Sequence, residues 1–323
     1  MTRDKWHGHL AIFITNILFG LNISISKSLL SGWISPAGLT VARVAFGAAA
    51  FWVLSLFVKK ERVGGRDLLL LLACALTGIV INQTFFIFGL ERTSPIDAGL
   101  IATLNPVIVM LVAAAVLREP ISWKKACGVF TGACGALLVI WQSAPGDGNA
   151  GEATLAGNLF CLLSVLSYCL YLVISRPIAR RLGPVTLMKW MFLFATVALL
   201  PFGARDVIDA PAFSNADGAP EALLALLYVL AGATFLAYLL IPVALRRIRP
   251  TTISMYNYLQ PIVAGIAAIV AGQGILTWDK PVATLLIFAG VYLVTRSRAR
   301  DDVEHAPREV KKDKGKSQAV RKR

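Results

Sequence analysis

The chain has 323 residues, 57% of them hydrophobic and 15% charged, with a mean hydropathy of +0.69. Soluble domains carry about 25% charged residues, so the two soluble domains that this length would otherwise suggest are excluded. The net charge of +14 does not mark a nucleic-acid binder. The tail from Arg296 holds eleven Lys/Arg against five Asp/Glu, and most other basic residues fall in short loops between charge-free runs.

A membrane-spanning helix needs about 20 apolar residues, and on that rule the sequence predicts ten. The first five are His9–Leu30, Pro36–Val58, Asp67–Gly89, Ile96–Leu117 and Lys125–Trp141. A polar Gly/Asp/Asn linker, 142–154, follows. The second five are Leu155–Ser175, Pro184–Phe202, Pro220–Leu245, Thr251–Ala271 and Lys280–Thr295. The first run is too long for a cleaved signal peptide and is read as a retained span. The five cysteines all lie inside apolar runs, without metal-ligand spacing. No metal or cofactor is expected. The histidines are His7, His9 and His305, none in the middle of a span, and no paired carboxylate or phosphate loop occurs, so the chain is not read as an enzyme.

Basic residues mark the cytoplasmic ends of spans. With the N-terminus inside, 26 of the 32 Lys and Arg fall on the inner side, and only Arg92, Arg205 and Lys280 fall outside. Both termini are therefore predicted in the cytoplasm. The chain also repeats itself. At an offset of 155, Pro95 meets Pro250, Leu104 meets Leu259, Pro106 meets Pro261 and Trp123 meets Trp278. Near an offset of 149 the first span overlays the sixth, pairing Gly8 with Gly157 and Thr15 with Ser164. Five spans per copy is an odd number, so the second copy enters from the opposite side. The predicted fold is all-α and integral to the membrane: ten transmembrane helices as two inverted five-helix repeats. The units are a first repeat over 1–141, the linker, a second repeat over 155–296 and a basic, disordered tail over 297–323. Such duplication puts a site near the midplane between the halves.

Three stretches resemble a known family. Ser35-Pro36 followed by Ala42-Arg43-Val44-Ala45-Phe46 is similar to its second-helix arginine motif. Thr93-Ser94-Pro95 through Leu104-Asn105-Pro106 resembles its motif of small residues leading to an apolar-polar-Pro, and Leu117-Arg118-Glu119-Pro120 its Gly-Glu motif. The family is EamA, of the drug/metabolite transporter superfamily, and the likeness covers about residues 8–296. It departs at Gly274, which stands where a second copy of Glu119 would be. The resemblance implies a secondary transporter in the bacterial inner membrane, exporting amino acids, metabolites or drug-like molecules by alternating access. The competing reading is a non-transporting scaffold or sensor working through the basic tail, whose Lys311–Lys316 and Arg321–Arg323 runs suit anionic lipid.

The residues themselves point to a polar cavity. Thr15, Phe19, Asn22 and Ser26 recur at helical spacing on one face of the first span. Ser164, Tyr168, Tyr171 and Ser175 are their counterparts in the sixth. Asn82 and Gln83 are adjacent amides in the third span, with Tyr238 aligned to Gln83. The ninth carries Tyr256, Asn257, Tyr258 and Gln260. Candidate substrate contacts are Asn22, Asn82, Gln83, Asn105, Tyr168, Tyr171, Tyr238, Tyr256 and Gln260. Pro106 and Pro261 are expected to break their helices and free carbonyls for ligand or water. Arg43 and Glu119 are the candidate gating or structural charges, whereas Lys27 and Lys189 are expected to reach for headgroups. No Asp or Glu lies in the central part of any span.

Overall fold

The computed structural model describes residues 3–92, 98, 101–102, 104–117, 123, 126–131, 134, 155–214, 216–270, 285–286, 289–290 and 292–293. Among these residues every regular element is helical. Helices α1 (Arg3–Leu30), α2 (Pro36–Leu54), α3 (Gly65–Arg92) and α4 (Asn105–Leu117) come from the first half. The second half supplies α5 (Leu155–Ile174), the short α6 (Arg176–Arg181), α7 (Pro184–Ile208), α8 (Ala219–Leu245), α9 (Pro250–Met255) and α10 (Leu259–Val270). Five of them, α1, α2, α3, α7 and α8, are long and apolar enough to cross a bilayer. The predicted fourth and ninth spans are each interrupted at their polar-proline stretch, so neither contributes one long helix. The predicted fifth and tenth lie mostly outside the described residues, as do the linker and the tail.

Large apolar side chains face outward along these helices. Phe202, Leu69 and Leu224 are each at least 70% exposed. An apolar surface of this extent needs lipid rather than water against it.

Several predicted helix ends move; α2 stops at Leu54 rather than Val58, and α3 runs on to Arg92 rather than Gly89. α1 begins at Arg3 rather than His9, so its first turns carry the charged start of the chain beyond the apolar run. α7 continues through Pro201 to Ile208 instead of stopping at Phe202. Its last turns are docked on α2. A Cβ on Gly203 would stand 2.7 Å from the Ala37 carbonyl oxygen, and one on Gly38 would stand 3.0 Å from the Asp206 carbonyl oxygen. Only glycine permits this approach of two backbones.

The α2–α7 pair is antiparallel along its length. At one end Ser35, the N-cap of α2, donates to Asp206 Oδ2 at 2.5 Å while its Oγ accepts from the Gly38 N–H. At the other, the Gly183 N–H donates to Glu61 Oε2 at 2.8 Å, and Arg181 pairs with Asp67 at 2.6 Å. The remaining packing is exchanged between halves. α1 lies against α8 and α10, while α5 lies against α3 and α4. The buried core therefore mixes residues of both halves, with Ile12, Phe51, Tyr171, Phe192 and Tyr238 in one cluster.

Candidate functional site

Two helices change their winding at matching places. α3 is π-helical over Leu76–Ile81 and α8 over Tyr228–Leu236. At the offset of 155, the first segment falls within the second. Each ends just before predicted site residues, Asn82 and Gln83 in the first half and Tyr238 in the second. A π turn frees backbone carbonyls that need other partners. Ser167 Oγ donates to the Thr77 carbonyl at 2.6 Å, and Thr234 Oγ1 donates to Val229 O, five residues back, at 2.8 Å.

The proline stretches also match. In the first half Leu104 N–H donates to Ile101 O, a tight i→i−3 bond, and α4 starts at Asn105. In the second, Tyr256–Tyr258 form one 3₁₀ turn between α9 and α10. Pro106 and Pro261 thus sit in the first turn of a new helix, where a missing N–H costs least. Pro106 deprives the Ala102 carbonyl of its donor. Asn105 Nδ2 supplies one instead at 2.9 Å, and its Oδ1 accepts from Cys169 Sγ at 3.2 Å. The carbonyl expected to serve ligand or water is therefore taken by the neighbouring amide.

Between these four irregularities lies a small, partly open cavity. Its lining includes Phe19, Asn22, Arg43, Asn82, Gln83, Ala102, Asn105, Ser164, Tyr168, Tyr238, Asn257 and Gln260. Repeat-equivalent residues face it in pairs: Ala102 with Asn257, Asn105 with Gln260, Gln83 with Tyr238 and Phe19 with Tyr168. Phe86, Ile23 and Val165 add apolar wall. Arg43 is the one charged residue among the described residues that line it. Its Nε donates to Thr234 Oγ1 at 2.9 Å, and the side chain is 3% exposed.

Seven of the nine predicted substrate contacts meet in this cavity, and Tyr171 and Tyr256 turn away from it. Tyr171 is fully buried with its ring on Gly78, where a Cβ would stand 2.5 Å from the ring. Tyr256 turns aside because the 3₁₀ turn has three residues per turn. Asn257 and Gln260 then share a face, and the Tyr256 hydroxyl meets His9 Nδ1 at 2.8 Å. Within the first-span stripe, Phe19 and Asn22 line the cavity, while Thr15 donates to Ala11 O and Ser26 to Asn22 Oδ1.

Three of the six lining amides, Asn82, Asn105 and Gln260, are engaged with other helices. Asn82 Nδ2 donates to Ser164 Oγ at 2.9 Å, and Ser164 Oγ donates back to Asn82 O at 2.9 Å. Gln260 Nε2 donates to Asn16 Oδ1 at 2.9 Å. Asn16, fully buried, went unnoticed in the sequence because it lies one residue off the Thr15 stripe. Two lining amides have fully buried atoms without a partner. Neither polar atom of Gln83 and not the Nδ2 of Asn257 makes a hydrogen bond, and both residues are 2% exposed. The Tyr238 hydroxyl neighbours Gln83 but donates to Gly78 O in a long bond of 3.5 Å.

The predicted headgroup cations also find nearer partners. Lys27 Nζ donates to Leu90 O at 2.8 Å, and Lys189 Nζ lies 5.0 Å from the Trp52 ring centre. Glu119 lies outside the described residues.

A multi-pass helical membrane protein with an amide-lined cavity between its two halves belongs to the class of membrane transporters. The EamA-like transporter family model matches residues 6–141 and again 155–296, and the chain belongs to that family. Similar proteins include the uncharacterized transporter YcxC of Bacillus subtilis, 26% identical over 88% of this chain and 91% of its own. A WAT1-related protein of Arabidopsis thaliana is 24% identical over 92% of this chain and 87% of its own. One solved crystal structure matches 88% of this chain and 95% of its own with a TM-score of 0.67 at 21% identity, a likeness of fold.

Proposed function

We propose that this protein is an alternating-access secondary transporter that exports small metabolites, amino acids or drug-like molecules across the bacterial inner membrane. The observation that carries the reading is the cavity built from repeat-equivalent residues of both halves. A site shared in this way changes its access when one half rocks against the other.

Three further features support two inverted repeats, 1–141 and 155–296, with ten spans in all. α2 and α7, which begin at the matching prolines Pro36 and Pro184, run antiparallel. α1 and α5 exchange packing partners between halves. The π turns and the proline-marked breaks recur at one offset. The breaks before Asn105 and Leu259 are hinges in this reading. The cavity residues Asn22, Asn82, Gln83, Asn105, Tyr168, Tyr238, Asn257 and Gln260 form the polar and aromatic binding wall. Both termini are cytoplasmic, and the tail after 296 anchors that orientation.

Flux into liposomes carrying the purified protein tests the proposal. A panel of metabolites should include at least one whose exchange is accelerated. Asn22→Ala and Gln260→Ala should each reduce that flux several-fold while the protein stays folded. Normal flux in both variants would remove the site assignment, and no flux across the panel would favour the scaffold reading.

A further inference from the structure

The cavity has an unbalanced inventory of charge and donors. A buried cation within a membrane span costs about 2.5–3.5 kcal/mol on insertion scales, so it calls for a partner or a task. Arg43 makes one hydrogen bond among the described residues, to a neutral hydroxyl, and no ion pair there. Its guanidinium carries five N–H donors, of which the Thr234 bond uses one. Asn257 Nδ2 and Gln83 Nε2 are two more buried donors without a partner on the same cavity. No Asp or Glu is among the described residues that line it. The wall around these donors is aromatic and aliphatic, from Phe19, Phe86, Tyr168 and Ile23.

We infer that Arg43 receives the carboxylate of the transported molecule, and that the substrates are small monocarboxylates with an apolar or aromatic body and no ammonium group. A carboxylate accepts two parallel bonds from a guanidinium. Its remaining lone pairs suit the spare amide donors of Asn257 and Gln83. An ammonium would meet the same positive charge with no described acid to hold it, so the site selects against amines and zwitterions. The Thr234 bond holds the guanidinium from α8 while Arg43 itself stands on α2, so the carboxylate would dock on a group gripped by both halves. This inference rests on the transport reading above and narrows its substrate class.

Head-group discrimination on one body tests it. The purified full-length protein is titrated by calorimetry with 3-phenylpropanoate, 3-phenylpropanamide and 3-phenylpropylammonium, and with hexanoate as an aliphatic carboxylate. The carboxylates should bind at least tenfold more tightly than the amide, and the ammonium should not compete. Arg43→Gln should weaken carboxylate binding roughly 10- to 100-fold, the size of one lost charged contact, and leave the amide unchanged. Asn257→Ala should weaken it less. Where Arg43→Gln does not fold, the head-group series on the unaltered chain and Asn257→Ala decide. Amide or ammonium binding as tight as the carboxylate overturns the inference, as does the absence of binding by either carboxylate. Head-group preference without any liposome flux would sink the transport reading alone. Flux of amines with no carboxylate preference would sink this inference alone.

Discussion

At the scale of single residues, the amide-proline pair of the first half is a self-contained repair. Pro106 removes the donor that Ala102 O would have had, and Asn105 returns one from its side chain. A buried carbonyl left without a partner costs about 1–3 kcal/mol. Asn105→Ala should therefore destabilise the protein by about that amount, read as a lower melting temperature in detergent. Pro106→Ala on that background restores an N–H at the right place and should recover part of the loss, a non-additivity that a double-mutant cycle measures. A single Asn105→Ala variant as stable as the parent would refute this account. The need for a polar residue beside each proline was legible in the sequence. The way each is used was not. Gln260, its repeat partner, reaches across to Asn16 on α1 instead, because its longer side chain starts from the second residue of α10, just after the 3₁₀ turn.

At the scale of elements, the positions of the helices follow from apolar run lengths, but their irregular turns do not. An α-helical phase through 256–260 puts Tyr256 and Gln260 on one face. The 3₁₀ turn at Tyr256–Tyr258 rotates that face so that Asn257 joins Gln260 on the cavity. The π turn in α3 similarly opens a notch at Gly78 that takes the Tyr171 ring away from the cavity. Hydropathy carries no mark of either, because both keep the segment apolar. Glycines were visible in sequence but their reason was not. Gly203 lets α7 lie on the start of α2, with a would-be Cβ 2.7 Å from Ala37 O and 3.0 Å from Val41 Cγ2. Since the clash is with backbone, Gly203→Ala should cost about 1–3 kcal/mol through forced separation, seen as a lower melting temperature. Gly64→Ala, in an open stretch with no atom within 4 Å of the new Cβ, is the matched control and should be close to neutral.

At the scale of the whole molecule, the direction of each helix links charge to mechanism. Loops rich in Lys and Arg stay in the cytoplasm, and the stretch Lys59–Arg66, which leads into the first turn of α3, carries four of them, whereas Ser31–Ser35 between α1 and α2 carries none. In the proposed orientation, the antiparallel α2–α7 pair brings Glu61 and Asp67 to Gly183 and Arg181 at the cytoplasmic end, and Ser35 to Asp206 at the outer end. Each membrane face is thus tied by contacts between the two halves. The alternating access proposed above requires those two sets of ties to open in turn. Single cysteines at exposed positions test the orientation on which this depends. In intact cells an impermeant maleimide should label Ser31→Cys and Asp217→Cys. It should label Gly64→Cys only after the inner membrane is permeabilised, with the native cysteines alone as background. The reverse pattern would turn the molecule over, placing the Arg181–Asp67 pair outside and exchanging the faces at which the cavity loads and releases.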